Sequence, residues 1–269
     1  MRTIDFAKGH GTRNDFVLLA DPDNLLDLDD DQVRFLCDRR AGIGGDGVLR
    51  AVRAGLVPEW DGPGDVWFMD YRNADGSIAE MCGNGLRVFL RYLEEEGLVT
   101  GPKAAVATRA GLRSGTFGPD GRISVTMGPV QLGGEVTVEA DGRSWPARCV
   151  EVGNPHAVVL LGSEAELAGL DLSRPPTWFP SGTFPAGANV EFVVRRAPGR
   201  IRLRVHERGV GETSSCGTGA VAAAAAMADA GSYTIQVPGG TLEVDLSGPE
   251  ALLTGPAVVV ARGTCTLQS

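Results

Sequence analysis

Apolar residues in this chain fall mostly in runs of four or five, separated by Gly and Pro and too short for helices. Phe16-Val17-Leu18-Leu19, Val66-Trp67-Phe68-Met69 and Ile123-Ser124-Val125-Thr126-Met127 read as strands. So do Val158 to Leu161, Val190 to Val194, Ile201 to Val205, Leu242 to Leu246 and Ala257 to Val260. Gly-rich segments at Gly42 to Gly47, Gly133-Gly134 and Gly239-Gly240 read as turns. Three stretches break the strand rhythm, and their spacing predicts helices over 30–40, 84–96 and 217–230. The fold class is α/β, of the mixed α+β kind, with mainly non-local strand pairing.

The last two helices differ in their faces. Leu86, Phe89, Leu90 and Leu93 form one apolar stripe, with Arg87, Arg91 and Glu94 to Glu96 off it. From Ala220 the other helix has no polar residue until Asp229. A helix that is apolar all round is buried, and alanine lets strands approach closely, so a central helix wrapped by sheet is expected there.

At 269 residues the chain can hold two domains, each with its own core. A net charge of −9 argues against nucleic acid or an anionic membrane as partner, because both select basic patches. Much of that charge lies in Asp21 to Asp31, which reads as a solvated loop and an acidic helix start. No apolar run approaches the roughly 18–20 residues that span a bilayer, and Met1 to Phe6 lacks the apolar core of a signal peptide. Five cysteines, an odd number, do not suggest a disulfide scaffold, so a reducing cytoplasm is expected.

Chemistry concentrates at two matching turns. Met81-Cys82-Gly83-Asn84-Gly85 and Ser215-Cys216-Gly217-Thr218-Gly219 each open into a predicted helix. A thiol at a helix start faces unpaired N–H groups and the positive end of the macrodipole, which favour the thiolate. A lone cysteine there reads as a small buried turn residue. The repeated glycine context, which lets a ligand approach the backbone, points instead to two paired acid–base groups. Such a pair suits a reaction whose substrate and product are mirror images at one carbon. Cys37, Cys149 and Cys265 lack this context and read as structural.

The echo extends further. Cys216 follows Cys82 by 134 positions, Asn154 follows Asn14 by 140, and Gly255-Pro256 follows Gly128-Pro129 by 127. Slowly shrinking offsets in one order suggest a duplicated domain, with a boundary near Met127 to Gly134. The expected domains are 1–128 and 129–260, related by a pseudo-two-fold that sets the two turns across one cleft.

Asn73 precedes Cys82 by 9 positions, and Glu207-Arg208 precede Cys216 by 9 and 8. Arg can grip a carboxylate in two places and Glu can hold an ammonium, which suits an amino-acid ligand; alone, such a pair is as often a surface ion pair. Metal binding is not suggested, because Cys82 and Cys216 lack Cys-x-x-Cys spacing and His10, His156 and His206 lack HExxH spacing. Gly42 to Gly47 matches no nucleotide-binding motif, so no cofactor is expected.

These motifs, taken in order, closely resemble the diaminopimelate epimerase family. The matching stretches run from Phe6 to Val17, Arg39 to Gly44, Tyr71 to Ser77 and Met81 to Gly85. They continue through Gly153 to His156, Asn189 to Phe192, His206 to Gly209, and Gly211 to Gly219. The resemblance implies cofactor-independent conversion of LL-2,6-diaminopimelate to the meso form, in lysine and peptidoglycan-precursor synthesis. It also implies a strand assembly around a central helix in each domain, a homodimer, and a C-terminal segment, about 261–269, that pairs back onto the first domain. Cys82 is implied as proton donor and Cys216 as acceptor for the LL substrate, with the roles exchanged in reverse. Asn14, Asn73, Gly83, Asn84, Asn154, Asn189, Glu207, Arg208, Gly217 and Thr218 are implied to hold the substrate, and His156 and Glu207 to tune the thiols. Arg13, Ser215 and Gly47 depart from the commoner family pattern, and the substrate contact some members make at the position of Gly47 is not carried over. A proline or hydroxyproline racemase of the same fold is the nearest alternative, but its first cysteine motif usually reads Cys-Gly-His-Gly where this chain has Asn84. A non-catalytic amino-acid-binding or redox protein is the alternative from another class.

Overall fold

A computed structural model of the chain describes residues 2–227 and 231–267. It divides into two compact units, residues 1–125 with 255–269, and residues 126–254. The first half contributes β1 (Arg2–Gly11), β2 (Asn14–Ala20), α1 (Asp30–Cys37), β3 (Gly47–Arg53), β4 (Trp67–Asn73) and β5 (Ile78–Ala79). It continues with α2 (Gly83–Glu95), β6 (Lys103–Thr108), β7 (Gly111–Phe117) and β8 (Ile123–Gly128). The second half contributes β9 (Gln131–Ala140), β10 (Arg143–Glu151), β11 (Pro155–Leu161), α3 (Glu164–Gly169), β12 (Thr177–Phe179) and β13 (Asn189–Ala197). Then follow β14 (Arg200–Glu207), β15 (Gly211–Thr213), α4 (Gly217–Met227), β16 (Ser232–Val237), β17 (Gly240–Asp245), β18 (Ala251–Gly255) and β19 (Val258–Leu267).

The two units share one strand order. In the first, β19, β1, β2, β3, β4, β6, β7 and β8 lie side by side, with β2–β3 and β4–β6 parallel and the rest antiparallel. In the second, β9, β10, β11, β13, β14, β16, β17 and β18 repeat that order and those directions. β19 therefore holds in the first unit the place that β9 holds in the second. It runs antiparallel to β1 from Leu267 opposite Arg2 to Val258 opposite His10.

Continuous apolar runs mark the central parallel pairs because both of their faces are covered. Phe16, Val17, Leu18 and Leu19 are all fully buried. Val17 and Leu19 join Val33 and Leu36 of α1 in one core, while Phe16 and Leu18 face the other way, toward α2. In the second unit Ala157, Val159 and Leu161 pack with Leu167 of α3, together with Val190, Phe192 and Val194 of β13. The alternate residues, His156, Asn189 and Glu191, share the opposite face. α4 is the enclosed helix: it packs against β10, β11, β13, β14, β16 and β17, and Ala220 to Ala224 have no exposed surface.

Local chemistry revises three details of the sequence reading. The helix predicted over 30–40 stops at Cys37, because the Asp38 carboxylate accepts from the backbone N–H groups of Arg40 and Ala41 at 2.7 and 2.8 Å and builds a turn. Gly133-Gly134 is not a turn. The pair sits inside β9, where two residues face only Cys149 and the register shifts, so the glycines form a bulge. Arg87, off the apolar stripe of α2, is nevertheless fully buried. The predicted helix end at 228–230 lies outside the described residues, as do residues 268 and 269 of the pairing segment. Among the described residues, no helix is long and apolar enough to cross a membrane.

Candidate active site

Each thiol caps the helix it precedes. Cys82 is the N-cap of α2 in extended conformation, and its Sγ accepts from the Gly85 N–H at 3.3 Å. Sulfur thus takes the place of the Ser or Asp oxygen usual at this position. Cys216 repeats the geometry at α4, accepting from the Gly219 N–H at 3.4 Å, with Thr218 Oγ1 at 3.5 Å.

In the first unit Asn14, at the start of β2, reaches this helix start. Its Oδ1 lies 3.6 Å from Cys82 Sγ and accepts from Asn84 Nδ2 at 3.3 Å. Its Nδ2 donates to Asp46 Oδ2 at 2.7 Å, which fixes the amide with its oxygen toward the thiol. Asp46 is held in turn by Arg39 at 2.8 Å, and Arg39 also makes a two-pronged bond to Asp15. Asn84 is buried and its Oδ1 accepts from Arg87 at 2.9 Å. Asn73, at the end of β4, donates to Ser77 Oγ at 3.0 Å and pairs in register with Gly47.

In the second unit Asn154 and His156 lie at the start of β11, Asn189 at the start of β13, and Glu207 at the end of β14. His156 Nε2 lies 3.0 Å from Asn154 Oδ1, and Nδ1 lies 2.8 Å from Glu191 Oε1. Asn189 Oδ1 accepts from the Arg208 N–H at 2.9 Å. Glu207 Oε1 accepts from Thr213 Oγ1. The arrangement collects polar groups at one end of the parallel pair in each unit, beside a helix start.

The expectation that both helix starts favour thiolate fails for Cys216. Burial pushes its thiol well above the usual value, and the carboxylates of Glu207 and Glu191 add to that, outweighing the donors of Thr218 and Gly219. Cys216 of the free protein is accordingly a neutral thiol. Cys37 is likewise pushed up to about 11, by burial in the first unit's core. Among the described residues none of the five cysteines is joined in a disulfide, and no three His, Cys, Asp or Glu side chains gather as a metal-ligand group.

Among the residues of these networks that sequence reasoning did not single out are Asp46, Arg39, Arg87 and Glu191. Asp46 was hidden in a segment read only as a turn, and Arg87 in a helix read by its stripe. Glu191 had a signal, being a lone acid inside the apolar run Val190 to Val194.

Residues 6–133 and 148–260 match the family model described as diaminopimelate epimerase. The diaminopimelate epimerase of Streptomyces coelicolor is 51% identical, covering 97% of this chain and 94% of that protein. That of Thermobifida fusca is 52% identical, covering 98% of each. Among solved structures, a PhzF-family phenazine biosynthesis protein of Bacillus anthracis superposes with a TM-score of 0.74 at 16% identity, covering 99% of this chain and 100% of that one. A hydroxyproline epimerase of Agrobacterium vitis gives 0.65 at 16% identity, covering 98% and 92%. At such identities these two likenesses speak for the fold alone.

Proposed function

Since this chain belongs to the diaminopimelate epimerase family, we propose that it interconverts LL- and meso-2,6-diaminopimelate by proton transfer between two cysteines. The observation that carries the mechanism is the repeated thiol cap: Cys82 and Cys216 occupy equivalent helix starts in two units of one topology. One thiol, as thiolate, removes the α-proton, and the other donates a proton to the opposite face of the carbon. A single base would return the proton to the face it left. Charge developing on the α-carboxylate needs donors, and the N–H groups of Gly83, Asn84, Gly217 and Thr218 at the two helix starts suit that task.

Asn14, Asn73, Asn154, Asn189, Glu207 and Arg208 bind the amino-acid groups of the substrate in this reading, and His156 with Glu207 tunes the thiols. Proton exchange of this kind uses protein groups only, so no cofactor or metal is invoked. The reading extends to a cytoplasmic homodimer, for which sedimentation at micromolar concentration should give twice the chain mass.

The test is incubation with LL-diaminopimelate, and separately with L-proline, in deuterated water. Deuterium should enter the α-position of diaminopimelate alone. Exchange into proline alone would favour the racemase reading, and exchange into neither would remove the enzyme. Cys82→Ser and Cys216→Ser should each lower epimerisation by at least about a hundredfold, the scale of losing an essential acid or base. Undiminished turnover in either variant would sink the two-base mechanism.

A further inference from the structure

We propose that Glu191 is a positioning residue of the second unit, acting through His156 to orient Asn154 toward the substrate. The inference rests on the functional reading above, in which Asn154 binds the amino acid. Glu191 and His156 are both fully buried, joined by the 2.8 Å contact between Oε1 and Nδ1. Because Asn154 Oδ1 can only accept, the 3.0 Å contact to Nε2 requires that nitrogen to carry its hydrogen. Nδ1 then donates to the Glu191 carboxylate, or accepts from its protonated form, and Nε2 keeps its hydrogen in both arrangements. With Oδ1 occupied, the amide NH2 of Asn154 is left as the donor for a ligand carboxylate.

The duplicated fold supplies an internal control. Phe16 follows Asn14 by two residues as His156 follows Asn154, and Phe16 pairs with Gly47 as His156 pairs with Asn189. Two residues beyond those partners stand Leu49 and Glu191. The packing agrees. A Cβ placed on Gly85 would meet Phe16 at 3.3 Å and Leu49 at 3.5 Å, while one on Gly219 would meet Glu191 Oε1 at 2.5 Å. An aromatic–aliphatic pair therefore fills this site beneath one thiol-capped helix, so the fold itself does not require an ionisable pair beneath the other. Burying ionisable groups gains little stability over well-packed apolar ones. Glu191 Oε2 is moreover buried with no hydrogen-bond partner among the described residues, a further sign that packing did not select it.

The experiment measures kcat and KM for diaminopimelate in the full-length wild type, Glu191→Gln, Asn154→Ala and their double variant. Glu191→Gln should raise KM about tenfold, the scale of one misoriented hydrogen bond to a charged group, with a smaller change in kcat because it also removes a carboxylate that raises the Cys216 thiol. The double variant should be no worse than Asn154→Ala alone, since both changes act on one path. Unchanged KM in a folded Glu191→Gln protein, a loss confined to kcat, or multiplicative effects in the double variant would each overturn the proposal. Should Glu191→Gln not fold, the pair Glu191→Leu with His156→Phe copies the first unit; it should fold and weaken binding like Asn154→Ala, and wild-type KM in it would overturn the proposal. Nitrogen-15 NMR of the His156 ring needs no turnover. Nε2 bearing hydrogen in the wild type and losing it in part in Glu191→Gln supports the proposal, and a bare Nε2 in the wild type overturns it. If the wild type does not turn over diaminopimelate, it is the functional reading that fails, and the ring measurement still decides the relay.

Discussion

Asp15 illustrates how single side chains hold the first thiol's surroundings. Burial alone would raise its carboxyl, but hydrogen bonds and charge from Arg39 and Lys8 win, and hold it down at about 2 against an ordinary 3.8. A carboxyl depressed on folding contributes stability that is full above its ordinary value and lost as pH falls through the folded one. Asp15→Asn should therefore lower the melting temperature at pH 7, and the gap from wild type should close between pH 4 and 2. A gap that persists at pH 2 would mean that packing, not charge, is what Asp15 supplies. The same balance, with the opposite outcome, keeps Cys216 protonated: burial and two carboxylates outweigh the helix start. Position at a helix start could be read from sequence, and Glu207 was reached through the resemblance; Glu191, 25 residues before Cys216 on another strand, was not.

At the scale of elements, the glycines at the two helix starts differ in what they protect. Helix propensity alone favours alanine over glycine by about 1 kcal/mol, so Gly85→Ala, whose Cβ meets nothing nearer than 3.3 Å, should leave stability nearly unchanged. Gly219→Ala sets its Cβ 2.5 Å from Glu191 Oε1 and must push that carboxylate off His156. Its kcat/KM should fall at least about tenfold further than that of Gly85→Ala, chiefly through KM, on the scale of a hydrogen bond to a charged group. Equal activities would show that the space beneath α4 is less constrained than its packing indicates. Element types were largely legible, because a 3.6-residue stripe and fully apolar short runs are strong signals. Their ends were less so. Asp38 ended α1 through a side-chain hydrogen bond, and Gly133-Gly134 became a bulge because Cys149 lay opposite.

For the whole molecule, the decisive feature is that β19 completes the first unit from the far end of the chain. Ile4 of β1 and Leu267 of β19 are buried in one core cluster with Val33 and Leu36. Deleting 258–269 would expose the edge of β1 and part of that core, and an unpaired apolar edge invites association. The truncated chain should melt at least about 10 °C lower, a loss of roughly 3 kcal/mol or more for a domain of this size, and should aggregate on purification. A soluble truncation with unaltered melting would show that the first unit is stable without its terminal strand.

The sequence by itself determined the elements, the duplication and the two thiol turns, because periodicity, glycine spacing and repeated motifs are local properties. It also led to the family through motifs kept in order along the chain. The tertiary structure decided which groups surround those turns. Parallel pairing brings Glu191 of β13 beneath the start of α4 and Leu49 of β3 beneath that of α2, so two helix starts alike in sequence differ in electrostatics. A thiol's proton responds to burial and to charges within a few ångströms. Those charges come from residues distant in sequence, and only the fold places them there.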